Sequence, residues 1–294
     1  MRESDSVKFK IRPSTAHGAI SIICGLALWV YFLRGPGVGG WMSISTWGAL
    51  GVYFLAHLVR LLRLGVVLGS QGIRELAAIH FFSSSCSSLF PFKLGEFVRV
   101  NEIARTHGGL LRGLLAVWIE RAFDVVAISA IALCALASGQ PQTREVVPLI
   151  VILMLFLFLT AVALFVMPFY LSAVNLHILR SYPGRKGLAM LKVMEPLHHV
   201  RQKVRPLVHG KGTALVVLTT CIWLLEIAAV FWAAESPDLM AAMTHLTTVF
   251  SDNLAGQSTP SLREFEGAKT LLLSTIGGLA AGVVVLSIMK KRRS

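Results

Sequence analysis

The sequence predicts an all-α, polytopic membrane protein with about six spanning helices and two re-entrant segments in an inverted repeat. Three observations lead there. The 294 residues are 55% hydrophobic and only 15% charged, with a mean hydropathy of +0.69, too apolar for a soluble domain of this size to bury. Several apolar runs reach the roughly 20 residues that cross a bilayer as a helix. Two polar, proline-containing segments also occupy corresponding places in the two halves: Phe82 to Arg99, FSSSCSSLFPFKLGEFVR, and Phe250 to Gly267, FSDNLAGQSTPSLREFEG. Both start Phe-Ser, reach a proline at 91 or 260, and close on Leu94-Gly95-Glu96-Phe97 or Leu262-Arg263-Glu264-Phe265. Broken polar segments at matching positions in two halves of a membrane protein point to a transport site at the repeat interface.

The spans fall at 18–34, 46–65, 111–137, 147–168, 214–234 and 268–289. The N-terminal tail, 1–17, is charged and is followed by no small-residue cleavage site, so it reads as a tail and not a signal peptide. The first repeat covers 18–138, the second 139–289, and a basic tail 290–294 ends the chain. Cys24, Cys86, Cys134 and Cys221 lie in apolar segments without a CxxC pair and read as packing residues, with no disulfide or metal role.

The formal charge of +13 does not indicate nucleic acid, because the basic residues sit in short loops beside apolar runs, where they set topology. The tail carries Arg2, Lys8, Lys10 and Arg12. The 173–213 loop carries Arg180, Arg185, Lys186, Lys192, Arg201, Lys203, Arg205 and Lys211 against Glu195, and the C-terminus is Lys290-Lys291-Arg292-Arg293. All three are expected on the cytoplasmic side of a cell inner membrane. Leu188, Leu191, Met194 and Leu197 recur at three-residue spacing in that loop. They fit either a helix lying on the anionic inner leaflet or a plain positive-inside loop.

Arg60 and Arg63 place the end of the second span inside, and Arg105 and Arg112 place the start of the third span inside. The stretch between must enter and leave on one side. Glu75 to Phe92 is too short and too serine-rich for two crossings, so it is expected to be a re-entrant hairpin, with Ser83, Ser84, Ser85, Ser87 and Ser88 satisfying backbone groups at its tip. The same reasoning makes Leu239 to Thr259 a re-entrant segment from outside.

Ionisable residues deep in apolar helices are costly and mark candidate sites. The third span holds Glu120, Arg121 and Asp124; Glu120 and Asp124 share a face, and Arg121 and Asp124 are spaced to pair. They read either as part of a site or as a self-neutralising cluster that fixes helix packing. Glu226 stands alone in the fifth span and calls for an intramembrane arginine. His80, beside Phe81 and Phe82, reads as a packed residue. Arg63 and Arg105 read as snorkelling side chains. Lys93, Glu96 and Arg99 follow the Pro91 break, and Arg60 lies about a turn inside the boundary. A broken helix end offers backbone donors and a favourable dipole to an anion. A lipid phosphate is the anion at hand, with arginine pairing as a fork and lysine as a point charge. Arg60, Lys93, Glu96, Arg99, Glu120, Arg121 and Asp124 are therefore the candidate head-group site, with Pro260, Arg263, Glu264 and Glu266 in the second segment. No phosphate loop, HExxH, GxSxG or Cys/His cluster is present. No enzyme activity, cofactor or metal is expected.

The sequence also resembles the lysylphosphatidylglycerol synthase transmembrane family, the membrane half of the bacterial multiple peptide resistance factor and its stand-alone relatives. Pro91, Lys93, Gly95, Glu96 and Arg99 match that family's Pro-x-[Arg/Lys]-x-Gly-Glu-x-x-Arg motif. Glu120, Arg121 and Asp124 match its Glu-Arg-x-x-Asp motif, and Arg60 its arginine at the end of the second helix. The late Pro-Gly-Gly-x-Gly-x-x-Glu motif is kept only by Pro260, Phe265 and Glu266; Ser261, Leu262 and Arg263 replace its glycines. The chain resembles members without the synthase domain, and the residues after Glu266 leave room for one helix where members usually have another, so an outer gate altered or shared with a partner is expected. The resemblance implies translocation of lipid. The leading expectation is a flippase for an anionic or head-group-modified phospholipid or a polyprenyl-phosphate-linked lipid. The alternatives are a non-transporting subunit of a lipid or envelope-polysaccharide synthesis complex, and a head-group-modifying enzyme using Glu96, Glu120 or Asp124 as base. The partners expected are anionic phospholipids and a lipid-synthesis enzyme, with no nucleic acid.

Overall fold

The computed structural model describes residues 44–69, 72–89, 95–107, 109–137, 147–162, 167–182, 184, 186, 188, 191, 204, 206–233 and 263–293. The expected span at 18–34, the Pro91–Lys93 turn, the segment from Leu239 through Pro260, and residues 192–203 of the basic loop lie outside them. The described elements are all helices: α1 (Ile44–Leu68), α2 (Ile73–Leu89), α3 (Gly95–His107), α4 (Leu110–Ala137), α5 (Val147–Ala161), α6 (Met167–Ser181), α7 (Gly212–Ala233) and α8 (Arg263–Arg293).

Among the described residues, α1, α7 and α8 contain stretches long and apolar enough to cross a membrane: Ser45–Leu68, Gly212–Ala233 and Phe265–Val285. The 28-residue α4 is long enough but interrupts its apolar run with Arg112, Glu120, Arg121 and Asp124. Lipid-facing surface is apolar. Leu55, Leu58 and Leu62 line one side of α1, and Val151, Ile152, Leu155, Phe158 and Leu159 form an exposed apolar face on α5. Arg63, Arg99, Glu102, Glu120 and Asp124 are buried, the reverse of a soluble protein.

α1 pairs with α7, and α2 with α8. One core layer joins Leu61, Leu64 and Leu68 of α1 to Ile79 of α2, Ile103 of α3 and Leu115 and Ile119 of α4. A second joins Ala49, Leu50 and Tyr53 of α1 to Ile227 and Val230 of α7 and Phe265 and Leu273 of α8. Trp118 Nε1 donates to Thr160 Oγ1 at 3.1 Å, tying α5 to α4.

α1 stops at Gly69, whose φ of 87° suits glycine and lets its N–H reach Gly65 O at 2.9 Å in a left-handed cap. Two of the last α1 carbonyls are then met from other helices. Arg112 Nη2 donates to Leu68 O at 3.3 Å, and Lys211 Nζ donates to Val67 O at 3.4 Å. The end of α1 and the starts of α4 and α7 therefore share one level of the molecule. α2 and α3, about 25 and 20 Å long at 1.5 Å per residue, leave that level and return to it. Gly113 lets α4 lie against α3: a Cβ there would sit 2.5 Å from Val100 O.

The structure departs from the sequence reading in six places. The described part of Glu75–Phe92 is not itself a hairpin: Ile73–Leu89 is one helix that holds the serines, with the Ser83 and Ser88 hydroxyls bonding carbonyls of that helix, and the return is made by α3. The expected 173–213 loop begins as helix, since α6 runs to Ser181. The span expected at 147–168 is helical as α5 only to Ala161, and a new helix begins at Met167. Pro168 explains the restart, since its ring disfavours a helix continuing through it but fits a first turn, where no N–H is needed. α8 begins at Arg263 and runs through Arg293, beyond the expected 268–289; lysine and arginine are good helix formers and suit a C-terminal dipole. Cys134 and Cys221 are exposed on their helices, so only Cys86 of the described cysteines is a packing residue. Arg63 and Arg105 do not snorkel, as the site shows.

Candidate functional site

Four helices converge on a buried ion network. Arg63 of α1 is 1% exposed. Its Nη1 donates to Asp124 Oδ1 at 2.6 Å and to Thr219 Oγ1 of α7 at 3.0 Å, and its Nη2 donates to Asp124 Oδ2 at 3.1 Å. Arg121 Nη1 donates to the same Oδ2 at 3.0 Å, and its Nη2 donates to Glu96 Oε1 of α3 at 2.6 Å. Glu120 lies between two guanidiniums, 2.9 Å from Arg99 Nη2 and 3.8 Å from Arg63 Nε. The spacing of 120, 121 and 124 on α4 turns the two acids to one face and sets Arg121 beside Asp124. A turn from Arg63 along α1, Arg60 Nη2 pairs with Glu226 Oε1 of α7 at 2.8 Å, giving the lone acid an intramembrane arginine.

Among the described residues the charges balance. Arg63, Arg99 and Arg121 face Glu96, Glu120 and Asp124, and Arg60 faces Glu226. The hydrogen bonds do not. Arg99 Nη2 and Glu120 Oε2 are close enough to be an ion pair, yet the N–H is not aligned on the oxygen. Arg63 Nε, Arg99 Nε, Arg121 Nε, Glu96 Oε2 and Glu120 Oε1 are also buried without a hydrogen-bond partner among the described residues. The network thus has buried donors and acceptors facing a low-dielectric interior, where an unmet polar group is expensive. Its open end is the Arg121–Glu96 pair, 38% and 24% exposed at the side chains, while Arg99 and Glu120 are closed off at 6% and 0%.

Of the predicted site residues, Arg60, Glu96, Arg99, Glu120, Arg121, Asp124 and Glu226 are gathered in these pairs, and Lys93 and Pro260 lie outside the described residues. Arg263 and Glu264 occupy the first turn of α8. Glu266 pairs with Lys269 in its own helix, and that ammonium lies over the rings of Phe265 and Tyr53, 4.9 and 5.2 Å from their centroids. Gly95 packs on the backbone of Ser87, where a Cβ would collide; this gives the glycine of the first motif a reason in close helix approach.

Sequence reasoning missed Arg63, Thr219, His57 and Glu102. Arg63 lies near the end of its helix and so resembled a snorkelling residue. A charge count carried the signal: Glu96, Glu120 and Asp124 outnumber Arg99 and Arg121, and a third deep cation was needed. Arg105, also read as snorkelling, pairs at 2.8 Å with Glu102, whose side chain is wholly buried.

An apolar exterior around a charged, helical interior defines an integral membrane protein. The chain belongs to the lysylphosphatidylglycerol synthase transmembrane family: the family model, described as the lysylphosphatidylglycerol synthase TM region, matches residues 19–262. Comparison with curated proteins and with solved structures finds no match.

Proposed function

We propose that this protein moves lipid across the bilayer, the cargo being an anionic or head-group-modified phospholipid or a polyprenyl-phosphate-linked lipid. The carrying observation is the network's combination of balanced charge and unmet buried hydrogen bonds around Glu96, Arg99, Glu120 and Arg121. A purely structural cluster gains from meeting every donor and acceptor. Arg121 stands at the network's open end, and exchanging its Glu96 carboxylate for a phosphate preserves a charge-assisted pair. The α2–α3 hairpin, which returns to the level it left, supports a re-entrant segment forming one wall of the path. α3 and α8 start at matching places in the two similar segments, Gly95 and Arg263, which supports the inverted repeat. In this reading both termini and the 173–213 loop are cytoplasmic.

The test is a proteoliposome carrying fluorescent lipid, scored by dithionite access to inner-leaflet probe over time. Transport requires faster loss of protected probe than in protein-free vesicles. A second reading, a non-transporting subunit of a lipid or envelope-polysaccharide synthesis complex, is favoured by the pairing of every cation in the described network. Absence of flipping with each anionic lipid tried would select it.

A further inference from the structure

One buried titratable pair has no part in the lipid site. His57, midway along α1, and His80 of α2 are 4% and 1% exposed. His57 Nδ1 lies 3.1 Å from His80 Nε2. The outer nitrogens, His57 Nε2 and His80 Nδ1, are buried without a hydrogen-bond partner among the described residues. Tyr53 stands edge-on to His57, 4.8 Å between centroids, and Phe81 packs edge-on to His80 at 5.2 Å. A contact of this length places one hydrogen between the rings, with one imidazole donating and the other accepting. In either tautomeric arrangement of the neutral pair, one outer nitrogen carries a hydrogen and the other is bare. Packing alone does not compensate for two buried polar atoms left unmet.

Charged groups face the pair from the helices around it. Arg60 and Arg63 come from α1, Arg99 from α3 and Lys269 from α8, with Tyr53 a further titratable neighbour on α1. Their counter-ions are Glu226 on α7, Asp124 and Glu120 on α4, and Glu266 on α8. Arg60 and Arg99 thus belong both to the histidines' surroundings and to the candidate head-group site. A phosphate arriving at either arginine and an extra proton on the imidazoles have opposite charge in a low-dielectric interior, so each favours the other.

We infer that His57 and His80 form a proton-binding dyad that loads one proton together with an anionic head group, making lipid movement proton-coupled. This rests on the transport reading for its lipid half only. In one direction, with His57 Nδ1–H donating, a proton from water on one side of the membrane adds to bare His57 Nε2. The shared hydrogen crosses from His57 Nδ1 to His80 Nε2, and His80 Nδ1 releases its own proton to water on the other side. The dyad ends neutral with the hydrogen bond reversed, and one proton has passed. Histidines within membrane helices serve as such relays elsewhere.

The dyad is tested first without transport. The full chain, labelled with 15N-histidine in phospholipid bilayers, is titrated by solid-state NMR across the ordinary histidine range and beyond on both sides. The expected result is one proton taken up by the pair, with both rings responding together. His57→Asn and His80→Gln keep a polar atom at the δ and ε positions used in the contact; each should remain folded and lose the joint response. If a variant fails to fold, the parent's spectrum still decides. Two rings fixed in one neutral tautomer at every pH overturn the proposal, as does stoichiometric zinc binding by the parent that His57→Asn abolishes.

The lipid half is read from phosphatidylglycerol binding in the parent. It should tighten by at least about fivefold when the dyad is protonated, and the change should vanish in both variants. In proteoliposomes, a pH gradient should accelerate flipping by the parent and leave the variants at their gradient-free rate. A parent that flips equally with and without the gradient overturns the coupling. One that flips under neither condition overturns the transport reading, and the NMR titration still decides the dyad.

Discussion

Arg63 holds Asp124 with both terminal nitrogens, at 2.6 and 3.1 Å, and thereby joins α1 to α4. Both residues are at least nine-tenths buried. Removing one partner of such a pair strands a charge where water does not reach it. Arg63→Ala is therefore expected to destabilise the protein by about 3–5 kcal/mol. Arg63→Met with Asp124→Leu should recover most of that loss, because an apolar pair of similar volume costs no desolvation. Unfolding in mixed detergent reports both. An Arg63→Ala protein as stable as the parent would contradict the buried geometry.

The open end of the network should behave differently. Arg121 keeps 38% of its side chain exposed, so Arg121→Ala should cost less stability than Arg63→Ala. Its effect is expected on lipid: losing one charge-assisted contact weakens binding by about 10- to 150-fold, or 1.5–3 kcal/mol. Native mass spectrometry with phosphatidylglycerol against phosphatidylcholine measures it. Arg121→Met with Glu120→Gln and Asp124→Asn then separates roles. If the cluster only holds helices together, the triple variant regains flipping with its fold. Recovery of fold without flipping supports a head-group role.

Topology has its own test. Ser181 ends α6 at the start of the basic stretch, so Ser181→Cys should react with a water-soluble maleimide only from the cytoplasmic side, and Ser258→Cys only from outside. Cys221 is exposed on a helix long and apolar enough to span a membrane. It should resist the same water-soluble reagent from both sides until the protein is dissolved, since such a reagent does not enter the hydrocarbon core. Labelling of Ser181→Cys from outside intact cells would invert the orientation.

The sequence reading located the helices that are uniformly apolar and the acids on α4, because both signals are local. A run such as α7 has no competing interpretation, and Glu120, Arg121 and Asp124 declare their spacing within one turn. What it misplaced depends on partners distant in the chain. Arg63 looked like an end residue because its carboxylate is 61 positions away. His80 is packed, as read, but its contact with His57 was not legible because His57 lies on another helix. The boundary errors at α5 and α8 were local and avoidable: Pro168 marks a restart, and the basic tail has the composition of a helix end.

The last expected outcome concerns the contact that seats the hairpin on the final helix. Gly277 of α8 meets the side chain of Ser85 so closely that a Cβ at 277 would overlap it. Ser85 Oγ donates to Phe81 O at 2.7 Å and also contacts Leu273 O on α8. Gly277→Ala must therefore push α8 from α2, at a cost of about 1–3 kcal/mol for overpacking. Ser85→Gly alone should also destabilise, by about 0.5 kcal/mol for glycine in place of serine within a helix and by loss of the hydroxyl. Together the two changes exchange which helix carries the bulk, so their effects should be less than additive. A double-mutant cycle on unfolding in detergent provides the measurement. Strictly additive losses would mean that α2 and α8 do not touch at these residues. If the hairpin must also slide on α8 for lipid to pass, Gly277→Ala should slow flipping more than its stability loss alone explains, and Ser85→Gly should restore the rate.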